Sequence, residues 1–164
     1  RRQRQMCIRD RFLTMSELSI NLKWKLGEGE LAPGKFSNSH EISFNDNYNI
    51  TADAAPDWGG SPDYTNPEQA LAASVSSCHM MTFLALAAKM KWPVNSYEDK
   101  ADAYLGKNSK GQMAVTKIVL HPVVTFSGEF TISDQDMKDM HDRSHRYCFV
   151  ANSLADEVVF EVSL

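Results

Sequence analysis

The residues of this chain best suited to reversible redox chemistry are its three cysteines, Cys7, Cys78 and Cys148. A thiolate attacks electrophilic oxygen or sulfur, and the sulfenic acid it forms can be recovered as a disulfide if a second thiol is near. Cys78 sits in "SVSSCHMM" and Cys148 in "HRYCFVANS", each among small neighbours (Ser76 and Ser77 before one, Ala151, Asn152 and Ser153 after the other). Spacing alone leaves two readings open. Either both thiols are small buried hydrophobes, which free cysteine commonly is, or they meet in space and one of them ionises. Histidines offer a rival chemistry: His141 and His145 stand four apart, a ligand spacing on one helical face, and His79 adjoins Cys78. Against a metal site, "HDRSH" lacks the glutamate of the HExxH pattern, adjacent helical residues point about 100° apart, and no third ligand is placed. Polar surface histidines are the expectation.

The elements that must position these groups follow from periodicity. Leu18, Ile20, Leu22, Trp24 and Leu26 alternate with polar residues, predicting a strand with one buried face. Residues 41–45 and 48–52, joined by an Asn/Asp turn, predict a hairpin, so the chain opens as a three-stranded meander. The Pro-, Gly- and Asp-rich stretch from Ala55 to Pro67 reads as a long functional loop. It ends at Asn66, Pro67 and Glu68, residue types that suit an N-cap, a first helical position and the positive end of the helix dipole. The helix this starts is apolar all round, the pattern of a central buried helix, and ends near Lys91 before Pro93. Two strand-like runs follow, around the turn "GKNSKGQ", with His121-Pro122 suggesting a bulge or edge position. A helix capped at Ser133 runs to about Tyr147, then a short helical piece, then the strand "EVVFEVSL". The order β-β-β-α-β-β-α-α-β predicts an α+β fold rather than βαβ winding. Trp58, Tyr64, Phe83, Met80, Met81 and Met90 are candidates to line an apolar pocket, although helical spacing places most of them in the core.

At 164 residues, 43% hydrophobic and 23% charged, the chain is long enough for a real core. No run of eighteen uninterrupted apolar residues occurs, so a membrane span is not expected. Residues 1–14 carry five arginines and one acid without capping or turn logic, and read as an extension or artefact preceding a single domain over 15–164. The net charge is −4. Without those fourteen residues, 12 basic and 20 acidic groups leave −8, which argues against nucleic acid. Few cysteines and no secretory pattern suggest a reducing compartment, the cytoplasm.

Asn66-Pro67-Glu68, "SSCHM" ten residues after that glutamate, "NSYEDKADAYL" and "HRYCFVANSL" together resemble the OsmC/Ohr family of osmotically inducible and organic-hydroperoxide-resistance proteins, from about Leu18 onward. The resemblance implies an α+β fold of antiparallel strands around a long central helix, in an intertwined homodimer. It also implies a thiol peroxidase for organic hydroperoxides in which Cys78 attacks, Cys148 resolves the sulfenic acid as a disulfide, and Glu68 assists. No cofactor is implied beyond an external dithiol or lipoyl-type reductant. The sequence departs from the family in one respect: no arginine lies between Met15 and Asp142, where relatives carry the one that activates the thiolate. Lys35, Arg143 and Arg146 are the substitutes to consider. The alternative is a non-catalytic small-molecule or metal-binding module of the same fold.

Overall fold

The computed structural model of the protein describes residues 18–164, so the expectations for the basic extension and Cys7 lie outside the described residues. The chain divides into two compact units, one ending at Ala52 and the other spanning Asp53–Leu164.

The first unit is the expected meander. Strands β1 (Asn21–Lys23), β2 (His40–Asn45) and β3 (Tyr48–Ala52) form an antiparallel sheet in that order, with Leu22, Ile42 and Ile50 in register across it. Asn45 accepts a hydrogen bond from the Asn47 N–H and so closes the hairpin turn. β1 is shorter than the alternation predicts. Its pairing ends at Lys23, opposite Glu41, after which the Trp24 indole donates to the Ser37 carbonyl at 2.8 Å and Trp24 meets Phe36 edge-on. The predicted buried face is open as well: Leu18 is 87% and Leu22 57% exposed. Alternation reports which side chains share a face; it does not supply the surface that would cover them.

In the second unit, Asp53 organises the long loop. Its buried carboxylate accepts the N–H groups of Ala54 and Ser61, and its own N–H donates to Thr65. The loop contains one short 3-10 turn, Pro56–Trp58. Gly60 is packed so closely on the Ala54 carbonyl that a β-carbon there would overlap it. Helix α1 (Pro67–Lys89) then starts as the sequence predicts, and more tightly: Asn66 accepts the Gln69 N–H while the Gln69 side chain accepts the Asn66 N–H. Length and composition alone would let α1 cross a membrane, so its interruptions by Ser, His and Thr do not exclude a span as expected. In this fold it buries one stripe, Ala72, Val75, His79, Phe83 and Ala87, and leaves its other apolar faces half-buried or open within the chain.

Strands β4 (Val94–Lys107) and β5 (Met113–Phe126) form a long antiparallel hairpin, and β6 (Val159–Val162) adds to β5 in parallel through a crossover containing α2 (Asp134–Tyr147). This parallel pair is the departure from an all-antiparallel layout. Pro122 keeps the β4 register, opposite Asp99, and the bulges lie elsewhere, at 94–96 and 104–105. Pro122 also lies two residues past the last β6 partner, Leu120, so its missing N–H costs no ladder bond on that side. Ser133 caps α2 by accepting the Asp136 N–H. Val75 packs with Ile118 and Leu120, and Phe83 and Ala87 pack with Met140, which holds α1 on the sheet and α2 on α1. Removing the reciprocal cap by Asn66→Ala is expected to cost about 1 kcal/mol, read in urea unfolding as a lower midpoint at unchanged slope.

Candidate active site

Cys78 lies midway along α1, one residue before the buried His79, so it sits at the edge of the packed stripe and is half-buried. Cys148 closes the last turn of α2 in extended conformation and is fully buried. Its N–H donates to the His145 carbonyl at 3.1 Å, and its sulfur accepts the Ala151 N–H at 3.4 Å. The fold brings the two cysteines together. Burial pushes the Cys148 thiol up to about 11, and the hydrogen bond it donates to Cys78, with the charge there, pushes the same way. Both thiols are free. Cys148 therefore keeps its proton near neutral pH.

Cys78 opens on a cleft of about 590 Å³. One wall is a single face of α1: Cys78, Met81, Thr82, Ala85, Leu86 and Lys89, spaced 3, 1, 3, 1 and 3 residues apart. The other wall is Arg143 and Tyr147 on α2 with Phe149 just beyond it. The cleft is mostly apolar with two cations. The Arg143 guanidinium rests 3.4 Å from the Met90 sulfur and has no carboxylate partner among the described residues. Lys89 was not legible as a site residue on its own, yet it stands three helical turns from Cys78 on the same face, a relation that periodicity contains.

The other sequence candidates fall differently. Glu68 is in the first turn of α1, about 15 Å along the axis from Cys78, and makes no hydrogen bond or ion pair among the described residues. Lys35 is paired with Glu30 at 2.8 Å. Arg146 is exposed and does not line the cleft. Trp58 and Tyr64 are exposed on the loop, Phe83 is core, and Met80 lines a separate hollow with Ser76 and Asp99; of the methionines, only Met81 lines the cleft itself.

The histidines correct the expectation of a polar surface. His79 is 0% and His141 1% exposed, with His79 Nε2 and His141 Nδ1 3.0 Å apart and the rings parallel. Phe83 stacks on His141, and Phe160 of β6 lies between the neighbouring rings of His79 and His145. His79 belongs to the buried stripe of α1, and His141 follows Met140 on the face of α2 that meets it. Burial, then the neighbouring imidazoles, lowers His79 to about 4; burial lowers His141 to about 4 against the opposing pull of Asp99 and Asp142. His145 is lowered by burial as well. No group of three or more His, Cys, Asp or Glu side chains among the described residues is placed to hold a metal ion.

Fold and site together define an α+β protein with two neighbouring free thiols, one of them on an apolar, cationic cleft. The OsmC-like protein family model matches residues 60–163, and the chain belongs to the OsmC/Ohr family. An OsmC-like protein of unknown function from Vibrio cholerae is 42% identical, with a TM-score of 0.81 over 91% of this chain and all of that one. The organic hydroperoxide resistance protein OsmC of Legionella pneumophila (17% identical, TM-score 0.65, 89% of this chain and 97% of that one) shares the fold. So does OhrB of Bacillus subtilis (15%, 0.63, 89% and 96%). No curated protein matches the chain.

The buried histidines set a sign for acid stability. They are neutral in the folded state and take up protons in the unfolded chain near pH 6.5, so their stabilising contribution is complete above that pH and is lost as pH falls toward 4. The urea midpoint is expected to be lower at pH 5 than at pH 7, the unfolding free energy falling by roughly 1.4 kcal/mol per histidine per pH unit once below 6.5. An unchanged midpoint would contradict the burial.

Proposed function

We propose that the protein is a cysteine-based peroxidase that reduces organic hydroperoxides. The observation that carries the reading is the meeting of Cys78 and Cys148 at the cleft, one thiol facing the space where a substrate fits and the other buried with its proton retained. The relatives from Legionella and Bacillus described as organic hydroperoxide resistance proteins support the same direction.

The chemistry balances with these two residues. The Cys78 thiolate attacks the terminal oxygen of ROOH, the O–O bond breaks, and the leaving alkoxide takes a proton to give ROH and Cys78 sulfenic acid. The Cys148 sulfur then attacks that sulfur, water leaves, and a disulfide forms. An external dithiol, free or lipoyl-type, returns both thiols. Arg143 supplies the positive field that the missing arginine would have supplied: it is a cation of the cleft with no competing carboxylate among the described residues, and a planar fork suits a developing alkoxide better than an ammonium. Glu68, too far along α1 to reach Cys78 of its own chain, acts from a second copy in a homodimer. The exposed apolar side chains of β1 and its flanks, Leu18, Leu22 and Trp24, are candidates for the surface such a dimer would cover.

Two measurements test this. With dithiothreitol as reductant, cumene hydroperoxide is expected to be consumed faster than hydrogen peroxide, and Cys78→Ser to fall to the uncatalysed background. Slow turnover unchanged by the substitution would replace the peroxidase with a binding module of the same fold. Arg143→Gln is expected to lower the second-order rate of Cys78 oxidation about tenfold, the loss of roughly 1.4 kcal/mol of transition-state stabilisation. An unaltered rate would remove Arg143 from the mechanism.

A further inference from the structure

The imidazole pair beneath the thiols has no part in the chemistry above, yet it lies between the two helices that bear them. His79 follows Cys78 on α1, and His141 stands two turns before Cys148 on α2. Their bond at 3.0 Å is a buried polar link between side chains of these helices, and Phe83 and Phe160 clamp it from α1 and β6. Phe83 and Phe160 pack on the rings, so the two inner ring nitrogens find their partners in each other.

We infer that His79 and His141 are positioning residues for the resolving step: their mutual hydrogen bond holds α2 against α1 so that the Cys148 sulfur stays within reach of the Cys78 sulfenic acid. The inference rests on the peroxidase reading and adds a determinant of its second half-reaction. Cys148 has little freedom of its own, because it is buried, its N–H is bound to His145 and its sulfur to the Ala151 N–H. Where α2 goes, that sulfur goes. A sulfenic acid left without its partner meets a second peroxide molecule and becomes sulfinic acid, with loss of another alcohol, ROH.

The bond has a built-in proton dependence. With both rings neutral, one N–H lies between them, and His79 Nδ1 and His141 Nε2 have no partner among the described residues. A first added proton enters at the bare outer nitrogen and leaves the bond intact. A second puts N–H against N–H, and the bond is gone. The charged and titratable groups facing the pair are His145 and Asp142 on α2, Tyr97 and Asp99 on β4, and Glu161 on β6, with Lys138 across the hollow beside His141. Asp99 and Asp142 favour protonation of His141, but burial opposes it more strongly.

The experiment treats reduced protein with cumene hydroperoxide and follows Cys78 by mass spectrometry as disulfide against sulfinic acid, from pH 5 to 8. Two variants are compared with wild type. His141→Leu removes the bond, and at pH 7 the ratio of sulfinic acid to disulfide is expected to rise about tenfold, the equivalent of one buried hydrogen bond. His79→Gln with His141→Asn replaces it by an amide pair, whose groups stand where the two bonding nitrogens stood and do not titrate. Across that pH range the folded amide variant is expected to keep the wild-type ratio of disulfide to sulfinic acid, because it retains a hydrogen bond between α1 and α2 and the wild-type imidazoles stay unprotonated until about pH 4. If His141→Leu does not fold, His79→Leu serves as the variant without the bond. An unchanged sulfinic fraction in a folded variant that lacks the bond, or a raised one in a folded amide variant, overturns the inference. A wild type that forms neither product overturns instead the peroxidase reading on which it rests.

Discussion

Much of this protein depends on how α1 is rotated about its own axis. Burying Ala72, Val75, His79, Phe83 and Ala87 takes an apolar stripe out of water, with Phe83 alone contributing about 2–3 kcal/mol. That stripe is what the sheet and α2 pack upon. Once it is placed, the face of Cys78, Met81, Leu86 and Lys89 has no freedom: it must lie beside the stripe, at the margin of the core, where a cleft can form. Two histidines rather than two leucines at the contact with α2 make the packing depend on a directional bond in a dry setting.

The same geometry separates the tasks of the thiols by their surroundings. Cys148 ends a helix inside the core, bound through its N–H and its sulfur, and is held protonated by burial and by its neighbour. Cys78, on the cleft wall, is the one that a molecule entering from solvent meets first. Two residues of one type have different surroundings: one is enclosed by protein and the other borders a space shared with Arg143 and Lys89.

Local rules made several features legible. Asn66 and Pro67 start α1, Ser133 starts α2, and an Asn turn joins β2 to β3, each because a short polar side chain satisfies backbone groups a few residues away. The partnership of the cysteines was legible only by family resemblance, since nothing in a spacing of seventy residues requires two thiols to meet. Lys89 was hidden among exposed lysines although it shares the cysteine's helical face. The burial of His79 and His141 was hidden because a histidine's own polarity points outward, and only a second histidine across the contact makes the inside tolerable.

By itself the sequence determined what depends on near neighbours: the three-stranded meander, the caps of both helices, the long hairpin, the final strand and the α+β class. It did not determine the parallel placement of β6, the extent of β1, or which side chains surround each thiol. Those are decided by contacts between residues far apart in the chain, where packing selects one rotation of each helix and one partner for each buried polar atom. Arg143 is an ordinary helical arginine in the sequence; the crossing of α2 over α1 makes it a wall of the Cys78 cleft.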